Sequence, residues 1–142
     1  MSHDNPLQQP VWQRAATQLR SGLSEMSIQL GEGALEPLLR YAHEMIRWNK
    51  AYNLTAVSAV DQVVSRHLLD SLSILPWLKP GLTLDVGTGA GLPGIPLAIA
   101  RPEQDFVLLD SNGKRMRFLA HIKRSLGSVS YTHLTLPTIY SV

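Results

Sequence analysis

The sequence predicts an α/β protein in which a helical region precedes a parallel sheet. Three segments before residue 80 place apolar residues three and four positions apart, the spacing of amphipathic helices. From Leu82 short apolar runs alternate with helical segments, a pattern typical of parallel strand–helix–strand units. We therefore expect a helical region over 1–80 and the first part of an α/β domain over 81–127.

The helical region is predicted to contain three helices. Apolar residues recur at helical spacing between residues 11 and 24, between 35 and 49, and between 60 and 75. Pro76 ends the third helix, because proline cannot continue the hydrogen-bonded ladder.

The third predicted helix carries a cluster of polar residues. His67 precedes Asp70 by three positions and Arg66 precedes it by four, and both spacings place side chains together on an α-helix. We expect a hydrogen bond between His67 and Asp70 and an ion pair between Arg66 and Asp70.

The α/β part is predicted to begin with strand Leu82–Val86 and to continue with a helix opened by Pro93 or Pro96. A second strand over 106–110 and a helix closed by Gly127 follow. Two strands do not complete a doubly wound sheet, which needs neighbouring strands and helices on both faces. We therefore expect a sheet truncated at its C-terminal side.

The last segment, 128–142, differs in composition from the rest of the chain. It is rich in Ser, Thr and Tyr, and it carries no charge when histidine is neutral. The pattern is compatible with one weak strand. We interpret this segment as an atypical tail, either foreign sequence or read-through.

Composition excludes several classes of protein. The chain has 142 residues, no cysteine, 44% apolar and 17% charged residues. The lack of cysteine excludes a disulfide scaffold, a cysteine-bound metal and a thiol nucleophile, and no metal site is expected. No apolar run approaches the roughly 18 residues that span a bilayer, and the first residues do not resemble a secretory signal. We expect a soluble, monomeric, cytoplasmic protein without membrane contact.

A glycine-rich turn between the first strand and its helix is the strongest functional signal. It runs from Asp85 to Gly94 and reads DVGTGAGLPG. Glycines let the backbone turn sharply and approach a ligand closely. Asp110 ends the next strand, where a carboxylate can accept both hydroxyl protons of a ribose. The turn therefore predicts a nucleoside-containing cofactor.

Two cofactors fit this turn. Residues 89–94 match the dinucleotide fingerprint GxGxxG, which predicts an NAD-dependent oxidoreductase. Three features favour S-adenosyl-L-methionine: the turn begins earlier, at Gly87; Pro93 removes an N–H where a pyrophosphate needs one; and Asp85 would repel that pyrophosphate but attract a cationic ligand. A tight turn without a ligand is a third reading.

Positive charge is concentrated near the C-terminus. The net charge is +2, yet residues 101–142 hold six basic and three acidic residues. Five basic residues lie on one predicted helix: Lys114, Arg115, Arg117, Lys123 and Arg124. Such a face either contacts RNA phosphates or is a solvated helix surface.

Four motifs in order make the sequence resemble a known family. They are residues 48–55 (WNKAYNLT), 66–71 (RHLLDS), 85–96 (DVGTGAGLPGIP) and 108–119, which begins LLDS and includes KR and FL. Over about residues 35–127 the chain resembles the small-subunit ribosomal RNA guanine-N7 methyltransferases, also known as glucose-inhibited division protein B.

The resemblance implies a Rossmann-like class I methyltransferase fold, S-adenosyl-L-methionine as cofactor, and 16S rRNA or the small ribosomal subunit as partner. It implies that Gly87 and Leu92 contact the cofactor, that Gly89 and Gly91 complete the loop, and that Asp110 binds the ribose. Asp85 is included as a nearby carboxylate. Family members continue past the position of Gly127 with strands that contact adenine, so part of the site is expected to be missing.

No catalytic acid or base is expected. Guanine N7 carries a free lone pair and no proton, so methyl transfer depends on positioning and electrostatics. Besides the methyltransferase, two hypotheses stay open: the NAD-dependent oxidoreductase, and an inactive fragment that binds RNA through its basic helix.

Overall fold

The computed structural model describes residues 5–31, 33–127, 129 and 131–135. Two long helices come first, α1 (Pro10–Glu25) and α2 (Leu35–Tyr52). Helix α3 follows as three consecutive segments, Val60–Gln62, Val63–Leu69 and Asp70–Leu72. The α/β part consists of β1 (Leu82–Val86), α4 (Gly94–Ala100), β2 (Asp105–Asp110), α5 (Gly113–Leu126) and β3 (Thr132–Thr135). The predicted α/β class is confirmed.

Helices α1, α2 and α3 pack around a shared apolar core. Leu19, Leu38, Met45, Val63 and Leu68 are completely buried there. These side chains recur at the three- and four-residue spacing that predicted the helices. No helix within the described residues is long and apolar enough to cross a membrane.

Helix α2 is longer than the sequence predicts. It continues to Tyr52, three residues past the predicted end, and Asn53 then adopts a left-handed conformation with φ of +51°. Asparagine tolerates this conformation, which ends helices. The polar–aromatic residues after Asn49 therefore belong to the last helical turn.

Helix α3 departs from α-helical geometry. Its middle segment, Val63–Leu69, is π-helical, with hydrogen bonds five residues apart, so the three- and four-residue spacings of an α-helix no longer align side chains. The predicted pairs of Asp70 with His67 and Arg66 are wrong. Among the described residues Arg66 and Asp70 form no ion pair, and His67 Nε2 instead lies 2.7 Å from Thr55 Oγ1.

The three strands form one parallel sheet in the order β1–β2–β3. Strand β1 has the predicted bounds, and β2 begins one residue earlier than predicted. Strand β3 lies in the segment 128–142, whose pattern is compatible with one weak strand. Residues 136–142 of that segment lie outside the described residues.

The last strand is held by a buried tyrosine. The Tyr131 hydroxyl donates to the Leu119 carbonyl at 2.5 Å, and its ring is buried. Burial raises the pKa of Tyr131 above its ordinary value. Strand β3 is therefore attached both to β2 and to α5.

The two faces of the sheet differ. Phe106 and Leu108 of β2 are buried on the face against which α4 packs. On the other face the β1 side chains Leu82, Leu84 and Val86 are 63%, 56% and 67% exposed. The register places Val86, Leu109 and Leu134 in one row of this face. The described residues leave this apolar face largely open.

Candidate cofactor site at the carboxyl ends of the strands

The glycine loop, residues 87–93, is anchored to the neighbouring strand. The N–H groups of Gly87 and Thr88 both donate to the Leu109 carbonyl, at 2.8 and 3.0 Å. The N–H groups of Gly91 and Leu92 in turn donate to the Thr88 carbonyl, both at 3.0 Å. The loop therefore folds back over the carboxyl end of β2, beside Asp110.

The glycines of the loop fall into two groups. Gly87 and Gly89 have φ of +72° and +61°, and a Cβ added to either would meet only open space. A Cβ on Gly91 would collide with the side chain of Ile95 and lie 3.1 Å from Leu119. The first two glycines thus line the side from which a ligand can approach, whereas Gly91 allows close packing inside the protein.

Asp85 holds the loop from within. Its Oδ2 accepts a hydrogen bond from Thr88 Oγ1 at 2.6 Å and another from the Gly94 N–H at 2.9 Å. Burial raises the pKa of Asp85, while the two hydrogen bonds act in the opposite direction. The carboxylate therefore ties the loop to the first turn of α4.

The first turn of α4 has its N–H groups engaged. Gly94 donates to Asp85, Ile95 to the Gly91 carbonyl at 2.7 Å, and Leu97 to the Pro93 carbonyl at 3.2 Å. Residue 96 is proline and has no N–H. A dinucleotide site needs free N–H groups here for its pyrophosphate, so this turn does not suit the NAD reading of residues 89–94.

Asp110 lies at the centre of the loop contacts. Its Oδ2 accepts from the Gly89 N–H and its Oδ1 from the Asn112 N–H, both at 2.8 Å. Arg115 Nη1 lies 3.6 Å from the same Oδ2. A carboxylate has about four acceptor positions, so it retains capacity for a hydroxyl donor. Asp110 and the open side of Gly87 and Gly89 therefore fit the ribose of an adenosyl cofactor.

Tyr41 is a functional candidate that sequence reasoning missed. This residue of α2 is fully buried, and its hydroxyl donates to the Ala90 carbonyl in the glycine loop at 2.7 Å. Burial raises its pKa well above the ordinary value. The sequence offers as a signal only a tyrosine within an apolar helical stripe, which is also typical of ordinary core packing.

The five basic residues of α5 do not form one face. Lys114, Arg117 and Arg124 are exposed and, at spacings of three and seven, share one side of the helix. Arg115 instead approaches Asp110, and Lys123 Nζ lies 5.9 Å from the centre of the Tyr131 ring. Three of the five cations therefore form a common exposed surface.

A larger concavity lies away from the glycine loop. It measures about 740 Å³ and is lined by the end of α1 and by residues of the 27–35 segment, with none of the predicted site residues. Among the described residues no cluster of three or more histidines, aspartates and glutamates is suited to hold a metal ion.

Fold and site define a parallel α/β protein with a glycine loop beside a strand-end carboxylate. The model of the family GidB, rRNA small subunit methyltransferase G, matches residues 34–135. The chain belongs to this family, and the resemblance found in the sequence is confirmed. The match ends inside the segment 128–142, whose composition differs from the rest of the chain.

Curated relatives carry the same name. Proteins named Ribosomal RNA small subunit methyltransferase G from Cellvibrio japonicus and Ectopseudomonas mendocina are 56% identical over 115 residues and 55% identical over 118 residues. These matches cover 78% and 82% of this chain but 52% and 55% of the relatives. A third, from Legionella pneumophila, is 54% identical over 109 residues, covering 76% of this chain and 50% of the relative. The chain thus spans about half the length of the curated relatives it matches.

Proposed function

We propose that this chain carries the cofactor-binding elements of an S-adenosyl-L-methionine-dependent methyltransferase that acts on N7 of a guanine in 16S rRNA. The proposal includes a Rossmann-like class I fold, to which β1, α4 and β2 contribute the first unit. It also includes the cytoplasm as location, a monomeric state, and the small ribosomal subunit or its RNA as partner. Family membership and the names of the relatives support it.

One observation carries the proposal. The open side of Gly87 and Gly89 adjoins Asp110, while the N–H groups at the start of α4 are engaged. This arrangement favours a ligand with a ribose and without phosphate. Asp85 and Asp110 add negative charge near the loop, which attracts a cationic ligand.

Methyl transfer to N7 requires no general acid or base. When bound, S-adenosyl-L-methionine supplies an electrophilic methyl group on a sulfonium. Guanine N7 has a free lone pair and carries no proton, so accepting that methyl group would require no acid or base from the protein. The tasks left to the protein are holding the ribose at Asp110, shaping the loop through Asp85 and Tyr41, and presenting the base in line.

Lys114, Arg117 and Arg124 are proposed to contact RNA phosphates. They share one exposed side of α5, whose first turn follows Asp110 closely in the chain. Such contacts weaken as salt rises, because binding releases counterions. Salt-sensitive RNA binding without any cofactor binding would instead favour the inactive RNA-binding fragment.

The proposal is tested by a thermal melt of the whole chain with and without S-adenosylhomocysteine. A ligand that binds only the folded state adds about 2.7 kcal/mol at 100 times its dissociation constant. We expect the melting temperature to rise with S-adenosylhomocysteine and to stay unchanged with NADH. A rise with NADH alone would favour the oxidoreductase reading.

Gly89→Ala locates the ligand on the loop. The new methyl group projects into the open side of the loop, so S-adenosylhomocysteine should no longer raise the melting temperature. Gly81→Ala is the matched control: Gly81 also has a positive φ, +110°, and also faces open space, at the other end of β1. Each change strains the backbone by roughly 1–2 kcal/mol. A retained ligand response in Gly89→Ala would contradict the proposed site.

A further inference from the structure

A small pocket adjoins the glycine loop on the side of α3. It measures about 240 Å³ and is lined by Arg66, His67, Asp70, Ser71 and Ile74 together with Leu92 and Pro93 of the loop. This α3 pocket is below the roughly 300–1,000 Å³ of sites for drug-sized ligands. Its size therefore suits one base rather than a whole cofactor.

Two of the sequence motifs that the cofactor site does not use meet at this pocket. Asn49 Oδ1 accepts the Thr55 N–H at 2.9 Å, and Thr55 Oγ1 lies 2.7 Å from His67 Nε2. The first motif, residues 48–55, thereby fixes a side chain of the second motif, residues 66–71. The second motif lines the pocket, and the first motif holds His67 in place through Thr55.

The π-helical segment of α3 shapes one wall of the pocket. Arg66 and His67 lie within Val63–Leu69, and Asp70 follows directly. Because this wider turn leaves Arg66 and Asp70 without an ion pair among the described residues, both side chains are available to a ligand. π-helical turns occur frequently at functional sites.

The polar and apolar groups of the α3 pocket match one base in particular. Guanine presents donors at N1 and its 2-amino group and acceptors at O6 and N7. A carboxylate such as Asp70 matches the donors, and a guanidinium such as Arg66 matches O6. Pockets for extruded bases combine such edge contacts with apolar walls, here Leu92, Pro93 and Ile74.

We propose that the α3 pocket receives the guanine base, with Asp70 accepting hydrogen bonds from its N1–H and 2-amino groups. This inference rests on the proposed function, because it places the substrate beside the loop assigned to the methyl donor. Leu92 directly follows Gly91 in the chain, and its N–H donates to Thr88 in the loop. A base against Leu92 and Pro93 thus lies next to the glycine loop.

The test is a nucleotide titration of the whole chain, without cofactor, followed by NMR. We expect guanosine 5′-monophosphate to bind at least about fivefold more tightly than adenosine 5′-monophosphate, which is the lower end of discrimination by a bidentate contact. Inosine 5′-monophosphate, which lacks the 2-amino group, should bind between the two. Equal binding of the guanine and adenine nucleotides, or no saturable binding of either, would overturn the inference.

Asp70→Asn should abolish the preference for guanine, and Asp61→Asn should retain it. Asp61 is the matched control, because it is an exposed aspartate at the start of the same helix, beside a concavity formed with α1. Arg66→Gln is a second variant, expected to weaken guanine nucleotide binding. A melt without ligand verifies that each variant folds.

The nucleotide titration tests the α3 pocket and the S-adenosylhomocysteine melt tests the cofactor site, so a negative result in one experiment leaves the other proposal standing. A melting response to S-adenosylhomocysteine together with an unchanged guanine preference in Asp70→Asn would reject the α3 pocket and leave the proposed function standing. A guanine preference that depends on Asp70, without any response to S-adenosylhomocysteine, would support the pocket and count against the cofactor site.

Discussion

The helical region and the sheet differ in how fully their apolar side chains are covered. Leu19, Leu38 and Leu68 of α1–α3 are completely buried, whereas Leu84 and Val86 of β1 are 56% and 67% exposed. Parallel sheets normally carry helices on both faces. The comparison shows that the side chains of α1–α3 lie inside one continuous core, which α4 and α5 extend over one face of the sheet, while the described residues leave the other face open.

The largest expected effect is a difference in stability loss between substitutions on the two faces of the sheet. Leu108→Ala removes a fully buried side chain and should lower the free energy of unfolding by about 2–5 kcal/mol. Leu84→Ala, the same substitution on the neighbouring strand but on the open face, should change it by less than about 0.5 kcal/mol. Urea denaturation measures both. Similar losses for the two variants would mean that the exposed face is covered in solution.

The next effect concerns the contact between the two regions. Tyr41→Phe leaves the Ala90 carbonyl without its hydroxyl donor inside the protein, which should cost about 1–3 kcal/mol of stability. It should also reduce the affinity for S-adenosylhomocysteine, measured by calorimetry, because the loop is less constrained. Tyr52→Phe is the control, since that ring lies edge-on to Trp48 at 5.1 Å and is distant in sequence from the loop. A loss of stability without a loss of affinity would show that Tyr41 acts on packing alone.

The smallest effect is a pH dependence within the helical region. Burial lowers the pKa of His67 and is the largest effect, while a backbone hydrogen bond at Arg66 and the Asp70 carboxylate raise this pKa and the Arg66 charge lowers it further. The unfolded chain therefore binds this proton first, so stability falls as pH decreases from about 6.5 towards the folded-state pKa. Burial also lowers the pKa of His43 and of His133, so these two residues contribute to the same loss of stability at low pH. His67→Gln should make the decrease in unfolding free energy between about pH 7.5 and pH 5.5 shallower; an unchanged slope would contradict the effect of burial on His67.

The sequence predicts most elements because their patterns are local. Strand β1 has the predicted bounds, and Gly127 ends α5 with φ of +62°, as expected. The π-helical segment of α3 was not predictable, because the same apolar spacing suits an α-helix. The prediction therefore paired His67 with Asp70, whereas the structure pairs it with Thr55. Thr55 lies before the helix, so helical spacing does not identify it.

The sequence predicts most of the residues that form the candidate site, but it does not predict which of them face a ligand and which pack inside the protein. The sequence identifies the glycine loop, yet it does not distinguish Gly89, which faces open space, from Gly91, which packs against Ile95. That distinction depends on which side of the turn α4 and α5 occupy. The role of Tyr41 was not predictable either, because its hydrogen bond to Ala90 joins residues that lie 49 positions apart in the chain.

The Tyr41–Ala90 hydrogen bond has a consequence for how variants of this protein are interpreted. Because it links α2 to the loop, the two are thermodynamically coupled, and such coupling is reciprocal. A substitution in α2 that removes or displaces this hydrogen bond will weaken the affinity for a ligand held by the loop, although the substituted residue contacts no ligand, and such a ligand will in turn stabilise the Tyr41 contact. In a screen that scores loss of ligand binding, the α2 positions that support this hydrogen bond will therefore be grouped with the binding residues, although they contribute by keeping the loop in one shape.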